Sequence, residues 1–126
     1  MEILSVSVNG AYDSVGQHRK IKRFLRKKNL LNPEYLYRGF ELRNLEQAKE
    51  TGIDYAEGRA FFASSMSALL LEFSTVANQN ALDYAIYGGG LSIYSAVGFE
   101  SDFSDQYRFR HENMKPYLVA IVLIEF

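Results

Sequence analysis

Arg38 stands inside a run of large apolar and aromatic side chains, Tyr35-Leu-Tyr-Arg-Gly-Phe40. Strand alternation would put Leu36, Arg38 and Phe40 on one face and Tyr35 and Tyr37 on the other. A guanidinium that points with two apolar side chains needs an anion, because burying one without a counter-charge is costly. The anion is a carboxylate of this chain, for which Glu72, Asp83 and Asp54 are candidates, or a ligand carboxylate or phosphate. Further along comes Phe61-Phe-Ala-Ser-Ser65, an apolar run that ends in two hydroxyls.

A second group is cationic. Arg19, Lys20, Lys22, Arg23, Arg26, Lys27 and Lys28 put seven positive charges into ten residues. On a helix they would cover most of the circumference and leave a narrow apolar stripe of Ile21, Phe24 and Leu25. Arg19, Lys22, Arg23, Arg26 and Lys27 could then lie against an acidic protein surface, or against phosphates without sequence specificity. The plainer alternative is a solvated face that offsets acidity elsewhere. Residues 1–30 hold seven Lys/Arg against two acids, a balance of +5, and residues 31–126 hold seven against thirteen, a balance of −6. The whole chain, at −1, has no general affinity for nucleic acid; only its first segment could.

Several chemistries are excluded. With no cysteine there is no disulfide, thiol nucleophile or thiolate metal site. His18 and His111 are too few for a histidine-rich metal centre, so no metal is expected. Neither has an acid or serine partner in sequence, which argues against a catalytic triad. No apolar run is long enough to span a membrane, and Met1-Glu-Ile-Leu-Ser-Val does not read as a signal peptide. A cytoplasmic protein is the expectation.

The elements that must position these groups are short. At 126 residues the chain reads as one domain with a real core. Ile3 to Val8 alternates as a strand, and Asn9-Gly10 turns it. The basic stretch 14–29 reads as a helix ended by Pro33. Glu34 to Phe40 is a strand, Glu41 to Lys49 a short helix, and Arg59 to Ala63 another strand. Ser64 or Ser65 can cap a helix from Met66. A further helix over Ala81–Tyr87 ends at Gly88-Gly-Gly90, which follows a helix where a phosphate loop would precede one. Leu91 to Val97 is a strand, Gly98 to Asp105 an acidic loop, Gln106 to Arg110 a short strand and Tyr117 to Phe126 the strongest strand. The class expected is α+β: one domain, a small mixed or antiparallel sheet, and three or four helices.

Leu36-Tyr-Arg-Gly39 followed by Phe62-Ala-Ser-Ser65 resembles the ADP-ribosyltransferase fold, as does Ala81-Leu-Asp-Tyr-Ala85 ahead of the strand Pro116-Tyr-Leu-Val-Ala-Ile-Val-Leu123. In that family an early-strand arginine binds an NAD phosphate and a Ser-Thr-Ser-like strand ending shapes the nicotinamide pocket. The resemblance implies NAD as substrate, Arg38 on its phosphates, and Ser64 or Ser65 at the pocket. Tyr37, Tyr84 and Tyr87 are candidates to stack on nicotinamide. Arg59 to Glu72 is also similar to a stretch of the RES-domain NAD-cleaving toxins, which would make Glu72 the catalytic acid. The transferase family usually carries its glutamate on a strand beyond the equivalent of Tyr117 to Phe126. Glu72, Glu100 and Glu125 are the substitutes, and Glu72 and Glu100 the candidate carboxylates. The competing expectation, from a different class, is a non-enzymatic binding or inhibitor protein that uses the basic helix and surface tyrosines.

Overall fold

The computed structural model describes residues 1–8, 14–50, 62–63, 89–103, 106–109 and 116–125. Their elements are β1 (Glu2–Ser7), α1 (Ser14–Lys27), β2 (Tyr35–Glu41), a 3-10 turn (Leu42–Asn44), α2 (Leu45–Glu50), β3 (Phe62–Ala63), β4 (Gly89–Ser95), β5 (Phe99–Phe103), β6 (Gln106–Phe109) and β7 (Leu118–Glu125).

The strands form one sheet in the order β1-β7-β4-β2-β3-β6-β5. Only β1 and β7 pair in parallel; the other neighbours are antiparallel. The α+β expectation, a small sheet under three or four helices, therefore needs correction. The described residues make a sheet-rich domain with a seven-stranded mixed sheet and two short helices. The helices expected from Met66 and over Ala81–Tyr87 lie outside the described residues.

Two segments differ from the sequence expectation, one that lengthens β4 and one that adds a strand. Gly88-Gly-Gly90 is not simply a helix stop, because Gly89 and Gly90 open β4. Gly90 lies opposite Phe40 in the β2–β4 register, and a Cβ there would collide with the Phe40 ring. Glycine serves here to admit an aromatic ring over the sheet, a tertiary reason with no local signature. Likewise, Phe99–Phe103 is β5 and not an acidic loop. Phe99 sits 6.5 Å from the Tyr94 ring, centroid to centroid, and that packing outweighs the poor strand propensity of its acids.

The core lies on both faces of the sheet. On one, Ile21 and Leu25 of α1 pack with Tyr37, Leu91, Ile93, Ala120, Val122 and Ile124. On the other, Phe40 and Ile121 pack with Ala48 and Leu45 of α2, and Leu36 with Tyr94. The end of α1 is set by its own cap. Asn29 adopts a left-handed φ of 57°, Leu30 N–H donates to Leu25 C=O at 2.9 Å and Asn29 N–H to Arg26 C=O at 3.2 Å. This is a Schellman closure with Asn in the usual glycine place, sealed by Leu30 against the core. Pro33 lies beyond the cap, in the turn before β2.

Candidate functional site

Alternation along β2 divides its side chains as expected. Leu36 and Phe40 belong to the α2 side and Tyr35 and Tyr37 to the α1 side. Arg38 therefore lies on the α2 side, half-buried, with its Nε shielded from solvent. Its cross-strand partner on β4 is Ser92, itself buried, and Tyr94 follows two residues later on the same face. A guanidinium, a hydroxyl and a phenol thus share one patch on the two central strands. Burial pushes the Tyr94 pKa up to about 12, while the Ser92 hydroxyl and the Arg38 charge pull it down by less. Tyr94 is a neutral phenol at physiological pH. The patch brings two hydroxyl groups and one positive charge together on one face of β2 and β4.

Tyr37 is elsewhere. It is buried on the α1 side, where its hydroxyl donates to Leu30 C=O at 2.8 Å and accepts from Asn32 N–H at 3.2 Å. Burial raises its pKa above the ordinary tyrosine value, the bond at Asn32 offsetting part of that. It ties the turn after α1 to the sheet and cannot stack on a ligand held by Arg38. Leu31, Asn32, Pro33, Tyr37 and Tyr107 line an open hollow of about 400 Å³. Among the described residues its lining carries no charged side chain.

Glu100 is exposed on β5, opposite Arg108 in the β5–β6 register. Its neighbour Phe99 packs toward Tyr94 and Leu36, so alternation turns Glu100 to the opposite face. The structure does not bring Glu100 to Arg38. Ser64, Ser65, Glu72, Tyr84 and Tyr87 lie outside the described residues. Sequence reasoning missed Ser92 and Tyr94. Their signal was present in the alternation of Leu91 to Ser95, but only the register opposite Arg38 gives it meaning.

The basic helix forms as expected. Ile21 and Leu25 are buried, and Arg19, Arg23, Arg26, Lys27 and Lys28 are exposed on the surface, with Lys22 half-buried. Among the described residues, Arg19, Arg23, Arg26 and Lys27 take part in no ion pair. Lys28 Nζ lies 6.0 Å from the Phe24 ring centroid, a long cation–π contact. Among the described residues no group of three or more His, Asp or Glu could hold a metal, and no helix is long and apolar enough to cross a membrane.

Comparison with protein-family models, with curated proteins and with solved structures finds no match for this chain.

Proposed function

We propose that this protein is an ADP-ribosyltransferase-like or NAD-cleaving domain acting on a macromolecular target, with Arg38 holding the pyrophosphate of NAD. One observation carries the proposal: a half-buried guanidinium at the centre of the sheet, on one face with Ser92 and Tyr94. A forked guanidinium suits pyrophosphate, because its N–H groups make paired charge-assisted bonds to phosphate oxygens. The chain resemblance supplies the substrate class.

In the reaction proposed, the bond between ribose C1′ and the nicotinamide nitrogen breaks and its electron pair leaves with nicotinamide. The ribose becomes cationic. A nearby carboxylate stabilises it until water or a target nucleophile adds and gives up a proton. Glu100 faces away from the Arg38 patch, so Glu72 is the carboxylate we assign. Ser64 or Ser65 would shape the pocket, with Tyr84 or Tyr87 on the nicotinamide ring. Titration calorimetry with NAD tests this. Binding is expected in the parent, with loss in Arg38→Ala, and Glu72→Gln should bind NAD but release no nicotinamide. Equal NAD binding by parent and Arg38→Ala would refute the assignment.

A second reading rests on a separate observation, that Arg19, Arg23, Arg26 and Lys27 of α1 are exposed and take part in no ion pair among the described residues. A non-enzymatic binding or inhibitor protein would use that face on an acidic protein surface, or on a nucleic-acid backbone without reading sequence. Such binding weakens with salt and is lost when Arg23, Arg26 and Lys27 become Glu, whatever stands at position 38. A cysteine-free chain suits a reducing compartment, and we place it in the cytoplasm on that ground.

A further inference from the structure

The two ends of the sheet are unlike. At one end, β5 carries two carboxylates in Phe99-Glu-Ser-Asp-Phe103, and its pairing with β6 is broken by a register shift between Ser101 and Phe103. Charge and irregularity of this kind discourage a further strand from adding. At the other end, β1 has neither device. Glu2-Ile-Leu-Ser-Val-Ser7 contains no Lys and no Pro, and its one charge is at the start. Its register with β7 runs without a shift from Glu2 to Ser7.

The backbone geometry of β1 says which groups face outward. Val8 N–H donates to Glu125 C=O at 2.8 Å, which turns the backbone groups of Val8 toward β7. In a parallel pair the residues that bond one neighbour alternate along the strand. Val6 and Leu4 follow Val8, so the N–H and C=O groups of Ile3 and Ser5 point to the open side. Among the described residues, nothing pairs with them there. The side chain of Ile3 is also exposed, at 45%.

We infer that a second copy of this chain adds to β1 through an antiparallel β1–β1′ pair centred on Leu4, joining two sheets into one. A two-fold axis through the sheet at Leu4 sets the whole register. Ile3 then faces Ser5 of the other copy, and each pair exchanges two backbone hydrogen bonds, four in all by symmetry. Leu4 meets its own copy on the α1 side. There it lies beside the apolar cluster that Val6 and Leu4 already border, so the cluster continues across the axis. Glu2 falls opposite Val6 of the other copy, so no two like charges meet. The strand thus matches itself in its outward backbone groups, sets Leu4 against Leu4 and opposes no like charges. That selects a second copy over an unrelated strand.

The contact is one short strand pair, smaller than the roughly 1,200–2,000 Å² of a standard stable interface. The dimer is therefore expected to be weak and to form with rising concentration. Sedimentation velocity from micromolar to millimolar protein should show a sedimentation coefficient that climbs toward a dimer value. Hydrogen exchange gives the register without any substitution. The Ile3 and Ser5 amides should gain protection only in the concentrated sample, while those of Leu4 and Val6, bonded to β7, are protected at both concentrations. Ser5→Pro removes an outward N–H and leaves the β7 bonds intact. It should stay monomeric with an unchanged melting temperature. A parent that remains monomeric to millimolar concentration overturns the inference. So does unchanged exchange at Ile3 and Ser5, or a Ser5→Pro variant that is folded and still dimerises. None of these readouts involves NAD, so the outcome is separate from that of the proposed activity.

Discussion

Arg38, Tyr37 and Tyr94 show how strand alternation separates side chains that are close in sequence. Arg38 and Tyr37 are consecutive yet on opposite faces, and the face decides the role. Tyr37 is structural: Tyr37→Phe keeps the ring but leaves the Leu30 carbonyl without its donor. We expect a loss of about 1–3 kcal/mol by urea unfolding, with NAD binding unaffected. Tyr94 makes a pH prediction. Its folded-state pKa, about 12, lies above the ordinary value of 10.0, so the folded form holds its proton more tightly than the unfolded chain. Its contribution is complete below pH 10 and declines as the unfolded phenol ionises, until the folded phenol follows near pH 12. By linkage the decline amounts to about 2–3 kcal/mol. Unfolding curves of the parent and Tyr94→Phe between pH 9 and pH 12 should diverge by that order, with the parent falling faster. Parallel curves would mean that the phenol is not shielded. The face of Arg38 was legible in sequence because period-two alternation is local. Ser92 and Tyr94 as its neighbours were not legible, because the β2–β4 register joins segments separated by a long stretch of chain.

At the scale of elements, the pairing of Gly90 with Phe40 is the clearest case of context overriding local signals. Three consecutive glycines favour a helix end by backbone freedom, yet two of them sit in a strand, and at Gly90 the Phe40 ring takes the space a side chain would need. Gly90→Ala should lose about 1–3 kcal/mol through overpacking. Adding Phe40→Leu should return part of it, giving a favourable coupling of roughly 0.5–3 kcal/mol in a double-mutant cycle. Additive effects would show that the ring and the glycine do not interact. α1 was the most legible element, since Ile21 and Leu25 fall at helical spacing and both are buried. Its end was assigned to Pro33 when Asn29 closes it. Asn is a weaker sequence signal than glycine for a left-handed residue, and the carbonyls it satisfies are visible only in the folded chain. β5 was hidden by its two acids, which make a strand look like a loop until Phe99 is seen against Tyr94.

At the scale of the molecule, two groups of charge among the described residues lie apart. The cations of α1 lie over one face of the sheet and the Arg38 patch lies on the other. The two can be tested apart. Reversal of Arg23, Arg26 and Lys27 to Glu touches only exposed positions. It should leave the melting temperature nearly unchanged while abolishing any salt-sensitive binding to a polyanion such as heparin. Unaltered heparin binding by that variant would remove α1 from consideration as a contact face. The central claim concerns the other side of the sheet, and one experiment reaches it directly. Thermal unfolding of the parent and of Arg38→Ala is followed with and without excess NAD. At ~100-fold excess over the dissociation constant, the parent should gain about 2.7 kcal/mol and Arg38→Ala should gain nothing. An unshifted parent at millimolar NAD, or an equal shift in both proteins, would contradict the account.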